Sequence, residues 1–265
     1  MIGIFDSGVG GLTVVKEIFK YLPKYQVVYF GDTARLPYGT KGADFVKKYS
    51  AKITEWLLAK NAKVIVIACH TSSAWAANFL KSKYKNAPIF DMISCASGEV
   101  LRSTKNKKIG IIGTPGTIKS AAWEKNLKKL DPSLKIYVQA CPLFVPMVEM
   151  GFTKGQVAEE VAKEYLKKIK AQNIDVLILA CTHYPLLENV IKKVMGPKVK
   201  IVNPAKSATI EIKNFLIKSP NIEKNIKKGK THQFFFSDEP YNLEKISHLC
   251  FSKKIIPIVK DPFNK

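Results

Sequence analysis

Two buried apolar runs in this chain each end in the dipeptide Ala-Cys. The first covers residues 64–68 and is followed by Cys69, and the second covers residues 176–180 and is followed by Cys181. Apolar runs of this length, with turn-forming residues just beyond, are typical of parallel strands covered by helices on both faces. Each cysteine is therefore expected at the carboxyl end of a strand, which is where open α/β sheets bind their ligands.

The opening of the chain is repeated in its middle. The apolar run at residues 2–5 precedes a glycine-rich turn at 6–11, and the similar run at 108–113 precedes a second turn. The spacing between these two runs is close to the spacing between Cys69 and Cys181. Two similar spacings, found from different motifs, indicate an internal duplication of one α/β half.

We therefore expect an α/β protein of two similar domains with mainly parallel sheets flanked by helices, pseudo-twofold related, and with the active site between them. Residues 1–95 plus 207–265 are predicted to form the first domain, and residues 96–206 the second. The tail, with strands expected at 233–236 and 254–259, is too short for a third domain. We expect it to return and complete the first sheet, which makes the first domain discontinuous.

Capping residues predict the starts of two helices. The Thr-Ser-Ser sequence at residues 71–73 can cap a helix that begins just beyond Cys69. Thr153 and Gln156 stand three residues apart, which is the pattern of a capping box before a helix of the second half.

The chain is strongly basic, because 43 Lys and Arg residues against 21 Asp and Glu residues give a net charge of +22. Only Arg35 and Arg102 are arginines, whereas planar recognition of phosphates and guanine depends on arginine. The lysines are spread along the chain, which is typical of solvated helix faces. Nucleic-acid binding is therefore a remote alternative, while a positive potential favours encounter with a small anionic substrate.

Five scattered cysteines make a poor disulfide framework, and none forms a Cys-x-x-Cys pair. Free thiols in a reducing compartment fit better. Since the chain opens directly into a strand and has no run long enough to span a membrane, we expect a cytoplasmic protein that does not bind membranes. Cys95, Cys141 and Cys250 are expected to be buried apolar fillers.

Two opposed thiols can remove a proton from one face of a carbon and return one to the other face. A cysteine has a pKa of about 8.5, which a helix N-terminus or a cationic neighbour lowers. Racemisation by such a pair needs no metal and no cofactor, but it needs donors that stabilise the carbanion-like state. Asp6 is placed to serve Cys69, His183 follows Cys181 closely, and Glu149 is a plausible second carboxylate.

Two other chemistries stay open at this point. Cys69, His70, Cys181 and His183 have the softness and number of a zinc site, although structural zinc sites favour ligands paired at short spacing. A single catalytic cysteine with His183 as its base would suit a thiol hydrolase or an acyl transferase. That second alternative leaves one of the two strand-end cysteines unexplained.

Five motifs, in order along both halves, together resemble the cofactor-independent aspartate/glutamate racemase family. They are the runs at residues 5–12 (FDSGVGGL), 32–39 (DTARLPYG), 68–69 (AC), 144–149 (FVPMVE) and 180–186 (ACTHYPL). The resemblance implies two α/β domains with the site between them, usually in a homodimer, and no cofactor. It also implies interconversion of L- and D-glutamate by a two-base mechanism, with D-glutamate destined for peptidoglycan.

By this resemblance Cys69 and Cys181 are the two bases, Asp6 is the carboxylate that serves Cys69, and His183 and Glu149 are the groups around Cys181. Substrate contacts are implied at Ser7, Pro37, Tyr38, Gly39, His70, Thr71, Thr114, Thr117 and Thr182.

His70 departs from the family pattern, in which Asn follows the first cysteine and contacts substrate. Here the ring either replaces the amide donor or changes what fits, so aspartate or another acidic amino acid is an alternative substrate. A protonated ring beside Cys69 would also depress the pKa of the thiol.

Overall fold

The computed structural model describes residues 1–251 and 254–263. Buried apolar runs form the strands of its two sheets. The larger sheet has six strands in the order β10-β9-β2-β1-β3-β4, and the smaller has four in the order β6-β5-β7-β8. The strands are β1 (Ile2–Asp6), β2 (Val27–Gly31), β3 (Val64–Ile67), β4 (Ile89–Asp91), β5 (Lys108–Gly113), β6 (Lys135–Ala140), β7 (Val176–Ala180), β8 (Lys200–Val202), β9 (Gln233–Phe236) and β10 (Ile258–Val259).

The two sheets repeat one arrangement. In the larger sheet β1 lies between β2 and β3, with β4 beyond β3, and in the smaller sheet β5 lies between β6 and β7, with β8 beyond β7. All of these pairings are parallel, with Ile2 opposite Val64 and Ile109 opposite Val176. The predicted pair of similar parallel α/β domains is therefore confirmed, while the predicted domain boundaries stay a prediction.

Helices cover both faces of the sheets. Val64 and Val66 of β3 join an apolar cluster with the first helix, whereas Ile65 and Ile67 join a second cluster on the opposite face. No helix within the described residues is long and apolar enough to cross a membrane. The helices are α1 (Leu12–Tyr21), α2 (Ala43–Ala59), α3 (His70–Lys83), α4 (Met92–Ser103), α5 (Pro115–Lys119), α6 (Ala122–Leu130), α7 (Phe144–Met150), α8 (Gln156–Lys170), α9 (Glu188–Met195), α10 (Pro204–Lys218), α11 (Pro220–Glu223) and α12 (Leu243–Phe251), with short 3₁₀ turns at Thr33–Arg35, Tyr38–Thr40 and Tyr184–Leu187.

The tail returns to the first sheet, as predicted. Strand β9 pairs with β2, and β10 pairs with β9, both in parallel. The last strand is shorter than expected, because it covers Ile258–Val259 and not residues 254–259. Pro257 directly precedes it, and a proline has no N–H to donate to a neighbouring strand.

Both predicted helix caps are wrong. Helix α3 begins at His70, and the Sγ atom of Cys69 is its cap, accepting a hydrogen bond from the backbone N–H of Ser72 at 3.4 Å. Helix α8 begins at Gln156 with Gly155 before it at φ 87°, and Thr153 makes no capping contact with the helix. Glycine adopts this backbone conformation without steric cost, so it sets the start of α8.

Replacing Phe236 with Ala tests the contribution of the returned tail to stability. The Phe236 side chain is fully buried in β9, with its ring centroid 5.8 Å from that of Tyr29. We expect the free energy of unfolding to fall by about 3–5 kcal/mol in urea titrations, because the truncation leaves a cavity. The control is Ile217→Ala on α10, where the side chain is 71% exposed and a change within about 0.5 kcal/mol is expected. Equal effects of the two variants would show that the tail adds little to the core.

Candidate active site

The carboxyl ends of the two sheets enclose a small cavity. Its volume is about 30 Å³, which is room for one or two water molecules. Both strand-end cysteines reach it, so the predicted pairing of Cys69 with Cys181 at one site is found in the fold. The lining residues are Ser7, Pro37, Tyr38, Gly39, Cys69, His70, Thr71, Thr114, Val145, Cys181, Thr182 and His183.

Three residues implied by the family resemblance do not line the cavity, and one lining residue was not expected. Asp6, Glu149 and Thr117 each contact a lining side chain and lie one layer further out. Val145 lines the cavity and is itself part of the motif at residues 144–149. Its apolar side chain gave no chemical signal that would have assigned it a substrate contact.

Cys69 is a buried thiol at the N-terminus of α3. Its Sγ atom accepts from the N–H of Ser72, and its side chain lies beside the Asp6 carboxylate. Burial, and then the negative charge of Asp6, raise the pKa of Cys69 to about 11. In this closed arrangement Cys69 therefore carries its proton at neutral pH.

Asp6 ends β1, which is the strand next to β3, so the parallel sheet brings it beside Cys69 as expected. The carboxyl group is fully buried, and it accepts hydrogen bonds from the Gly8 N–H at 3.1 Å and from the Thr182 hydroxyl at 3.3 Å. Burial raises the pKa of Asp6 above its ordinary value, although the positive charge of His183 opposes this rise. Asp6 thus joins the two sheets and is close to both cysteine loops.

His183 lies between Cys181 and a carboxylate. Its Nδ1 atom is 3.9 Å from the Sγ atom of Cys181, and its Nε2 atom is 3.0 Å from an oxygen of Glu149. Burial alone would lower the pKa of His183, but the hydrogen bonds with Cys181 and Glu149 outweigh it and raise the pKa to about 10. At neutral pH the ring is an imidazolium that can donate to both partners.

Two backbone features fix the position of His183 and Glu149. A Cβ atom added at Gly10 would lie 2.4 Å from Nδ1 of His183, so only glycine permits this approach of the first sheet's loop to the ring. Glu149 is the second-last residue of α7, and its carbonyl oxygen accepts a 2.6 Å hydrogen bond from the side-chain amide of Asn242 in the tail. Gly10 belongs to the predicted glycine-rich turn, although its contact with His183 was not predicted, and Asn242 carried no signal in the sequence.

Three threonine hydroxyls from the two sheets meet at one side of the cavity. Thr71 on α3 lies 3.0 Å from Thr114 and 3.1 Å from Thr117, and Thr114 lies 3.0 Å from Thr117, each measured between hydroxyl oxygens. Hydroxyl hydrogens rotate, so this cluster can turn its donors toward an anion in the cavity. Ser7 and Thr182 add two further hydroxyls from opposite sheets.

His70 is neutral. Its ring is 4% exposed and stacks on Trp123 with a centroid distance of 6.3 Å, and its Nδ1 atom has no hydrogen-bond partner among the described residues. Burial lowers the pKa of His70 to about 3. The expectation that a protonated His70 depresses the pKa of Cys69 is therefore wrong. The pKa of His70 is lowered, so its ring is neutral, and the pKa of Cys69 is raised.

The described residues contain no group of three or more His, Cys, Asp or Glu side chains placed to hold a metal ion. His70 stacks on Trp123 while His183 binds Glu149, so the four residues considered for zinc do not converge on one point. Cys95, Cys141 and Cys250 are free thiols that do not line the cavity.

Comparisons with known proteins agree with this geometry. Residues 2–211 match the model of the Asp/Glu/Hydantoin racemase family. The chain is 41% identical over 254 residues to "Glutamate racemase 2" of Caldanaerobacter subterraneus subsp. tengcongensis, and the aligned residues make up 96% of this chain and 94% of that protein. It is 41% identical over 252 residues to glutamate racemase of Aquifex pyrophilus, at 95% and 94% coverage. The chain belongs to the Asp/Glu/hydantoin racemase family.

Solved structures show the same two-domain arrangement. Glutamate racemase isoform RacE1 from Bacillus anthracis superposes with a TM-score of 0.93 at 35% identity, covering 100% of this chain and 98% of that one. Glutamate racemase from Francisella tularensis, solved in complex with D-glutamate, superposes with a TM-score of 0.88 at 35% identity, covering 98% and 96%.

Titration of the histidine rings by NMR tests the opposite protonation states of His183 and His70. We expect His183 to stay doubly protonated through about pH 8, since its pKa lies above this range, and His70 to stay neutral. Glu149→Gln should lower the pKa of His183, because the ring loses a carboxylate partner. The control is Glu160→Gln, which removes an exposed carboxylate of α8. A parent His183 that titrates near the ordinary histidine value would contradict the arrangement.

Proposed function

We propose that this protein interconverts L- and D-glutamate, with the thiols of Cys69 and Cys181 as the two bases at Cα. The observation that carries the proposal is that both thiols, each from a matched strand end, line one closed cavity. The substrate is supported by relatives named glutamate racemases that are about as long as this chain. A solved neighbour with bound D-glutamate supports it further.

The two thiols have different surroundings. Burial and the negative charge of Asp6 raise the pKa of Cys69, whereas the Sγ atom of Cys181 lies 3.9 Å from Nδ1 of the protonated His183 ring. In one direction the Cys181 thiolate takes the proton from Cα, and the Cys69 thiol gives its proton to the opposite face. The reverse direction exchanges the two roles, so no proton is gained or lost overall.

The carbanion-like intermediate needs electrostatic support, since the α-proton of an amino acid is far less acidic than a thiol. The threonine cluster, with Ser7 and Thr182, offers hydroxyl donors that we assign to the substrate carboxylates. A cavity this small keeps out bulk water, which strengthens such hydrogen bonds. Because the cavity volume is only about 30 Å³, the protein has to open to admit substrate.

His70 favours a second candidate substrate, namely aspartate or another acidic amino acid. The ring is larger than the family's Asn, lines the cavity, and has one buried nitrogen, Nδ1, with no hydrogen-bond partner in the part of the chain that the structure describes. We propose that it contacts substrate as a neutral imidazole.

The nucleic-acid alternative has only the net charge of +22 in its favour. The homodimer and the cytoplasmic location implied by the sequence stay predictions.

Reaction in deuterated water tests the two-base mechanism. Starting from D-glutamate with no added cofactor, we expect L-glutamate that carries deuterium at Cα. Cys69→Ser and Cys181→Ser should each reduce kcat by at least about 100-fold, because a hydroxyl is a far weaker acid than a thiol. Cys95→Ser, outside the cavity, is the matched control and should retain the parental rate. Full activity of either single cysteine variant would rule out the mechanism.

His70→Asn tests the role of the ring in substrate choice. We expect the ratio of kcat/KM for glutamate to that for aspartate to rise by about ten-fold, because the smaller side chain leaves room for a longer substrate. His248→Asn on α12 makes the same change at an exposed position and serves as the control. An unchanged ratio would mean that His70 does not select the substrate.

A further inference from the structure

A fully buried carboxylate, Asp32, lies just behind the cavity wall. It accepts hydrogen bonds from the hydroxyl of Tyr38 at 2.6 Å, from Nη1 of Arg35 at 2.7 Å and from the hydroxyl of Ser237 at 2.8 Å. Tyr38 lines the cavity, but Asp32 does not. The carboxylate of Asp32 therefore contacts the lining of the candidate site through the hydroxyl of Tyr38, while its backbone N–H donates to the carbonyl oxygen of Asp6 at 3.0 Å.

Arg35 extends this contact to the end of the chain. Its Nη2 atom is 2.6 Å from a carboxylate oxygen of Asp261, which follows β10, and its side chain is 9% exposed. The guanidinium also lies 4.6 Å from the centre of the Tyr49 ring. A planar guanidinium can bind two carboxylates at once in fixed directions. One arginine thus joins Asp32, just behind the cavity wall, to the last described segment of the tail.

The segment that carries Tyr38 packs closely against the second domain at Gly39. A Cβ atom added at Gly39 would lie 2.7 Å from Cβ of Thr114, and one added at Gly116 would lie 2.9 Å from the carbonyl oxygen of Gly39. The turn formed by residues 37–39 therefore rests directly on α5 of the second domain. Within this turn, the hydroxyl of Tyr38 donates to the Asp32 carboxylate, and Gly39 packs against Thr114 of the threonine cluster.

We propose that Asp32, Arg35 and Asp261 form a clamp through which the C-terminal end of the chain holds the turn at residues 37–39 closed over the cavity. Asp32 and Arg35 are positioning residues for the racemisation proposed above, on which this inference rests. The end of the tail, far from the thiols in sequence, is then part of what closes the site and sets its affinity for substrate.

Two variants break the clamp without removing a group that lines the cavity. Asp261→Asn removes the charge at the tail end, and Arg35→Lys keeps a positive charge but loses the fork that binds two carboxylates. The control is Glu244→Gln, which breaks the exposed Lys254–Glu244 ion pair of the same tail. Each protein is assayed for KM and kcat with glutamate. The rate of alkylation of each cysteine by iodoacetamide is measured by mass spectrometry.

We expect both clamp variants to raise KM by at least about five-fold with a smaller change in kcat, because a misplaced turn weakens substrate binding. Alkylation of Cys69 should become at least about five-fold faster, since the turn no longer covers the cavity. Cys141 and Cys250, which are 0% and 4% exposed in the core, should react as in the parent, and so should every cysteine of the control.

Parental KM and parental Cys69 reactivity in both variants would overturn the clamp. Equal acceleration at Cys69, Cys141 and Cys250 would also overturn it, because the ion pairs would then support the whole fold and not the turn. The alkylation readout does not need racemase activity. If the parent fails to racemise glutamate, the proposed function fails, while the comparison of cysteine reactivities still decides the clamp.

Discussion

The contact between the carboxyl ends of the two sheets is the constraint on which the site depends. Thr182, after β7, donates to Asp6 at the end of β1 across 3.3 Å, and Thr13 at the start of α1 donates to the Thr182 carbonyl oxygen at 2.9 Å. Gly10 allows the imidazole of His183 to lie against the first domain. Because these contacts join strand ends to strand ends, the polar loops of both domains face one small closed space.

The scaffold is duplicated, but the proton chemistry at the two thiols is not. Cys69 caps a helix and shares its surroundings with the Asp6 carboxylate, whereas Cys181 stands beside an imidazolium that Glu149 holds. Each thiol therefore has its own polar neighbours, although the proposed reaction requires each thiol to act as the acid in one direction and as the base in the other.

Much of this site could be predicted from local patterns. The apolar runs located β3 and β7, and the parallel arrangement of the first sheet placed Asp6 beside Cys69. The protonation state of His70 could not be predicted, because it depends on burial against Trp123, a residue of another helix. The predicted cap of α3 was wrong because the Sγ atom of Cys69, and not one of the hydroxyls at residues 71–73, accepts the hydrogen bond from the backbone N–H of Ser72. The contact of Arg35 with Asp261 spans 226 residues, and no local pattern reveals it.

A crystal structure with bound D-glutamate would show whether the two thiols can act on opposite faces of one carbon, as we propose. We expect the Sγ atoms of Cys69 and Cys181 to lie on opposite sides of Cα, each within about 3.5–4 Å, as a near-attack geometry requires. The substrate carboxylates should accept hydrogen bonds from the threonine cluster. A complex in which both thiols lie on the same side of Cα, or in which one is out of reach of it, would contradict the two-base mechanism.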